Sequence, residues 1–406
     1  MTTTTDSPIS TTAGAPAWPR HRVAVSAAFL ANGLLIGSWA PEIPIFRDRL
    51  GISESQLGLM ILAFGIGAVA TMPVAGRVIG AIGSRRPSIV LHLALAAALP
   101  ALVFAPSLPL AVLAIVFAGL ATGGLDIAMN ANAVSVERRQ PKAIMSSCHG
   151  FWSIGGLVGA GAGGFLIEAF GPEGHALVVA AVILLLWLVV WRYMLSDRLM
   201  RPVAADPVAA VNRAAPAETS AYLKAFAIGL FALFAMIPEG AAIDWSAIYM
   251  RQELGVDAGT SGLAFAAFSL TMAVLRFAGD GIRDRLGAVR TTRYSSLAAG
   301  LGLLLIASAN GPAMALAGFA VMGIGIANIV PIAFSAAGNV PGLRPGTGLS
   351  IVSALGYSGI LVAPSAIGFV AEHTGFAIVF ASLSVLLVVT FLAAKLVAVA
   401  DRPDPS

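Results

Sequence analysis

Four carboxylates, Glu42, Asp126, Glu239 and Asp244, sit inside long apolar runs of the sequence, and they outnumber the bases that could neutralise them. Arg276 alone among the basic residues lies well inside such a run. An acid withdrawn from water without a fixed counter-charge suits the uptake and release of a proton better than bond cleavage. Asp126, Asn130 and Glu137 are spaced so that, at about 100° per residue, all three fall within roughly 40° on one helix face. His149 follows on the next apolar run, and imidazole titrates near neutrality. Asp126 and His149 therefore form a candidate proton-handling pair, with a plain hydrogen bond between neighbouring helices as the alternative. His21, His92, His175 and His373 are scattered and read as loop or packing residues. No metal-ligand cluster, nucleophile–base spacing or Walker A loop is present, so the sequence supports neither an enzyme nor ATP-driven transport, and it implies no cofactor.

The elements that must hold these residues follow from composition. The 406 residues are 58% hydrophobic and 11% charged, with a mean hydropathy of +0.89. An ordinary soluble domain is about 25% charged. A bilayer core about 30 Å thick takes ~20 apolar residues per helix, so the chain accommodates about a dozen spans. Hydrophobic runs and Gly/Pro punctuation place them near 22–43, 55–77, 87–106, 109–136, 144–169 and 175–195, then 221–249, 259–280, 292–309, 312–336, 346–370 and 375–397. Residues 1–19 read as a disordered tail, 196–220 as a polar linker and 399–406 as a second tail, flanking six-helix bundles at 20–195 and 221–398. With the N-terminus inside, 21 of the 24 Lys and Arg residues fall on the inner side. That bias puts both termini in the cytoplasm and the chain in the cytoplasmic membrane. Cys148 is the single cysteine and reads as a buried thiol, so no internal disulfide can form. The basic pI of 9.6 is explained by the loops and does not call for nucleic acid.

The two bundles are copies. Leu50, Gly51, Gly58, Phe64, Gly83 and Arg86 recur 204 positions later at Leu254, Gly255, Gly262, Phe268, Gly287 and Arg290. Gly155, Gly164, Phe165, Glu168 and Gly171 recur at the same distance as Gly359, Gly368, Phe369, Glu372 and Gly375. A unit with an even number of spans repeats in the same orientation, leaving a cleft between two parallel halves.

Twelve spans, a long middle loop and the charged stretch RFAGDGIRDRLGAVR at 276–290 resemble the major facilitator superfamily over about residues 20–400. The fold this implies is all-α, two parallel pseudo-symmetric six-helix halves. That family's loop signature is matched by Asp284, Arg285 and Gly287, with Asp280 in place of the first glycine, and the resemblance makes these gating residues together with Arg276. In the first half Gly80 and Ala81 replace the acid and base, so its inner gate is held differently. Gly155, Gly159, Gly163 and Gly164 read as close helix packing. They also resemble the antiporter motif, with Ala160 in place of its proline. More narrowly, SWAPEIP, GGLDIAMN, SSCHGFWSIGGL and EGAAIDWSAIY resemble a YbjJ-like bacterial subfamily. Fucose-permease-like facilitators use acids in spans one and four, a pattern that Glu42 and Asp126 loosely match.

A charge at mid-span costs about 2.5 to 3.5 kcal/mol, so each buried acid calls for a reason. Glu239, between Pro238 and Gly240, lies about 22 Å above Lys224. Aligning Trp39 with Trp245 sets it across the pseudo-twofold axis from Asn32. Glu42 and Asp244 lie nearer the outer surface, as gate or interface residues. Asn32, Trp152, Glu239, Asn328 and Tyr357 make a candidate solute site, Trp152 and Tyr357 being open to a packing role instead. Asp126, His149 and Glu239 are the candidate coupling groups. The chain then reads as a secondary transporter for a small polar, sugar-like solute, with a proton and the lipid bilayer as partners and no obligate protein partner. Proton-driven efflux of amphipathic or cationic compounds is the alternative, and a non-transporting membrane sensor or scaffold is a third reading.

Overall fold

A computed structural model describes residues 20–197, 219–256 and 258–401. The tail 1–19, most of the linker (198–218) and the end of the C-terminal tail (402–406) lie outside the described residues. The described residues form helices: α1 (Arg20–Leu50), α2 (Glu54–Ile82), α3 (Arg85–Val103), α4 (Leu108–Glu137), α5 (Met145–Tyr193), α6 (Thr219–Gln252), α7 (Ala258–Ala307), α8 (Pro312–Ile326), α9 (Ile329–Gly338), α10 (Thr347–Thr374) and α11 (Phe376–Leu392), closed by 3₁₀ turns at Ala393–Ala400. Starts follow local chemistry. Ser53 and Gln56 exchange a reciprocal capping box at α2, and prolines enter α4 and α8 in their first turns, where a missing N–H costs nothing.

Ten stretches among the described residues are long and apolar enough to cross a membrane. Two of them, of 49 and 45 residues, would run about 70 Å as straight helices, twice a bilayer core. Both double back. In α5, Ser147 accepts from Arg22 at 3.0 Å and the Tyr193 carbonyl meets His21 at 2.7 Å, so the two ends of α5 reach the same end of α1. In α7, Thr271 donates to the Ala320 carbonyl and Arg276 reaches Ala327, whereas Ala299 then lies against Gly325 and Ile306 against Gly318. The first arm follows α8 and the second retraces it. The reversals sit at Gly171 (φ 72°) and Gly287 (φ 77°), conformations that a Cβ strains.

The backbone repeats the sequence's 204-residue register. The positive-φ glycines Gly51, Gly83 and Gly171 are matched by Gly255, Gly287 and Gly375. Leu157, Phe165, Leu185, Leu270 and Phe369 lie exposed on the outside of the helices, an apolar surface suited to lipid. Gly155, Gly159 and Gly163 face α1 so closely that a Cβ would meet Leu30, Ser38 or Pro41, whereas Gly164 faces open space. Small residues here bring α1 and α5 into backbone contact.

Candidate functional site

Arg276 of α7 is the hub of the interior. Pro331 has no N–H to offer the Ala327 carbonyl four residues back, so the helix breaks between α8 and α9. Arg276 Nε donates to that carbonyl at 3.4 Å, Nη1 to Ser153 Oγ at 2.6 Å and Nη2 to Glu239 Oε1 at 3.2 Å. A buried guanidinium needs a counter-charge and filled donors to offset the loss of water, and these partners supply both. They come from α5, α6 and the α8–α9 break, so one side chain ties both halves of the chain together. Arg276 is 3% exposed and Glu239 17%, making the carboxylate the more reachable member.

Asp126 is held differently. Its Oδ1 accepts from Asn130 Nδ2 at 3.2 Å and its Oδ2 from Ser353 Oγ of α10 at 3.4 Å, both neutral donors. Tyr357, one turn beyond Ser353, lies within electrostatic reach of both Asp126 and Glu239. The pair expected of Asp126 and His149 is not formed. His149 instead sits edge-on to Phe29 and Phe334, at centroid distances of 5.1 and 5.5 Å, with Nε2 buried and unpartnered. Asn32 does not meet Glu239 either. It donates to the Thr122 carbonyl at 3.2 Å and accepts the Trp152 indole N–H at 3.0 Å, which fixes the ring. Asn328 donates weakly to Leu275 at 3.5 Å, and its Oδ1 is buried without a partner.

Glu42, read from the sequence as a gate or interface residue, meets a partner the sequence did not foresee. It is 1% exposed and bonded at 2.6 Å to His175 Nδ1, a histidine the sequence placed among loop or packing residues. The contact closes between α1 and the second arm of α5, within the first half. Asp244 is exposed and borders a small crevice with Met236, Gly240, Gly359 and Pro364.

The end of the molecule that carries the basic loops is sealed. Five consecutive amides at the start of α5, Ala143 to Ser147, donate to carboxylates from other elements. Asp284 takes Ala143 (2.9 Å), Glu137 takes Ile144 (2.9 Å) and Met145 (3.1 Å), and Asp280 takes Ser146 (2.9 Å) and Ser147 (3.1 Å). The first amides of a helix lack intrahelical partners and carry the positive end of its dipole, so acids are favoured there. Glu137 also accepts from Arg283 (3.1 Å) and from Ser335. Arg138 donates to Asn339 and to the Gly338 carbonyl, both at 2.6 Å. Arg285 is exposed, and it is Arg283, two residues earlier, that makes the buried contacts.

The family's sequence profile, described as the Major Facilitator Superfamily, matches residues 25–248 and again 225–406. The chain belongs to the major facilitator superfamily. It is thus a membrane transporter rather than an enzyme by family. An uncharacterized MFS-type transporter of Yersinia pestis is 31% identical over 377 residues, 93% of this chain and 96% of the relative. The membrane protein MosC of Rhizobium meliloti is 32% identical over 352 residues, 87% and 84% of the two chains. Among solved structures, the superfamily transporter FucP in its outward conformation superposes with a TM-score of 0.72 at 18% identity, covering 94% of this chain and 98% of FucP. XylE superposes with a TM-score of 0.70 at 14% identity, covering 92% and 94%. These likenesses show the fold.

Of the contacts between helices, the facilitator's sequence hid those of Arg283 and Glu137 and the Glu42–His175 bond. One signal was available: Asp197 and Asp401 are 204 apart, and each caps the helix after a glycine turn, at Ser84 and Ala288.

Proposed function

We propose that this facilitator moves a small polar, sugar-like solute across the cytoplasmic membrane by alternating access, with protons as the coupling ion. Counting the two doubled helices as two passes each makes twelve spans, six in each half about 20–195 and 221–398, with both termini cytoplasmic. The basic, sealed end is then the cytoplasmic side. The observation that carries the reading is the bond set of Arg276. It makes a titratable acid, Glu239, the counter-charge of a guanidinium that also grips Ser153 of the other half. Protonating Glu239 frees Arg276 to shift, which links proton binding to the fit between halves. Asp126, with neutral partners only, is the acid that must hold a proton or a positive group when the cleft is closed. Trp152, held by Asn32, Asn328 and Tyr357 supply polar and aromatic faces toward the solute. FucP is described as a fucose:proton symporter and XylE as a proton:xylose symporter, which favours this class. The quoted motifs add the narrower YbjJ-like assignment to the proposal.

The neutral partners of Asp126 also favour a second reading, efflux of a cationic compound exchanged for protons. A thermal-shift screen of the purified protein against sugars, organic acids and hydrophobic cations at two pH values separates the two. A ligand at 100 times its Kd stabilises by about 2.7 kcal/mol. Polar hits that depend on pH and vanish in Glu239→Gln are expected, and hits confined to hydrophobic cations would replace the uptake reading with efflux.

A further inference from the structure

Asp197 and Asp401 occupy equivalent places in the two halves and do the same local work. Asp197 accepts the Ser84 N–H at 2.8 and 3.1 Å, and Asp401 the Ala288 N–H at 2.8 Å with both oxygens. Each thereby fills an amide left open where Gly83 or Gly287 interrupts the helix. Beyond that cap their surroundings differ. Among the described residues, Asp197 meets the Ser84 and Ser135 hydroxyls, and Asn132 bridges Ser84 to the Leu195 carbonyl. All of these belong to the first half.

Asp401 instead lies 3.8 Å from Arg283 Nε, and Arg283 Nη2 donates to the carbonyl of the preceding residue, Ala400. The same guanidinium puts Nη1 on Glu137 of α4. Arg283 is 7% exposed, so its direction is set by these three partners and not by water. Two of the three, Ala400 and Asp401, close the 3₁₀ turns that follow α11.

We propose that Ala400 and Asp401 are positioning residues of the gate: the close of the 3₁₀ turns after α11 aims Arg283 at Glu137 and so holds the two halves closed at the basic end. The first half has no such device, because Ile79 stands 204 residues before Arg283. The inference concerns closure and does not rest on the solute or the coupling ion.

The test reads gate opening without substrate. Val134 packs against Gly338 across the sealed end, so Val134→Cys in a Cys148→Ala background reports exposure there through its rate of reaction with N-ethylmaleimide in lipid nanodiscs. Asp401→Asn is expected to raise that rate several-fold, and Arg283→Gln to raise it by a similar factor. Asp401→Ser, which keeps a good helix-capping oxygen but no charge, keeps the protein folded and is expected to do the same. Asp197→Asn, which also keeps a capping oxygen, is expected to leave the rate at background. Background rates for both Asp401 variants would overturn the proposal. So would an equal rise in Asp197→Asn, which would reduce Asp401 to an ordinary cap.

Discussion

Of the contacts at the basic end, two at equivalent places in the repeat are built from opposite materials. The start of α5 is held by Asp280, Asp284 and Glu137, which take five amides between them. Among the described residues, no acid is bonded to the pseudo-equivalent start of α10. There Gly76 of α2 lies directly on Ser350 and the Gly346 carbonyl, Gly80 lies near Pro345, and Ser350 Oγ donates to the Met72 carbonyl at 3.0 Å. Asp280 and Gly76 are 204 residues apart, as are Ser350 and Ser146. The same place in the repeat is thus a charge latch in one half and a backbone contact in the other. The first-half motif lost its acid and base without losing the joint, because glycines let the helices touch. A duplicated fold can keep its motion while its two gates answer to different perturbations.

That contrast can be broken in graded steps. Glu137→Ala has the largest expected effect, because it removes the nearer of Arg283's two carboxylates together with the acceptor of the Ile144 and Met145 amides, a loss of about 3–5 kcal/mol. It should appear as a strongly lowered melting temperature and fast labelling at Val134→Cys. Gly76→Val puts a branched side chain where Ser350 and Gly346 already sit, costing about 1–3 kcal/mol through overpacking. Crosslinking between cysteines on α2 and α10 should fall, while contacts at α5 persist. Asp280→Ala removes two amide caps, roughly 1–2 kcal/mol, and should raise exposure of the α5 start with α10 unaffected. Ser350→Ala deletes a single hydroxyl bond, about 1 kcal/mol, and is expected to leave labelling within a few-fold of the parent. Equal responses at α5 and α10 to Glu137→Ala and Gly76→Val would dissolve the distinction.

The architecture was legible because it is written in periodicities. Long apolar runs mark the helices, and the 204-residue echo reappears in the backbone as matched positive-φ glycines. Sites made by neighbours along one helix could also be read, as with Asp126 and Asn130, which are bonded one turn apart. Contacts between helices could not. Asp126 and His149 lie on consecutive apolar runs, yet succession along the chain says nothing of rotation, and His149 turns into Phe29 and Phe334. Glu42 and His175 are 133 residues apart and meet because Gly171 folds the second arm of α5 back toward α1. Arg276 was visible as an isolated base, but its partner Glu239 is 37 residues away on another helix.

The most direct test is solute accumulation in proteoliposomes holding the purified protein, driven by an imposed proton gradient and using the best polar hit of the thermal-shift screen. The account predicts accumulation that collapses with the gradient and is lost in Asp126→Asn and Glu239→Gln. Accumulation that survives dissipation of the gradient, or that both variants retain with its pH dependence intact, would contradict proton coupling through these acids.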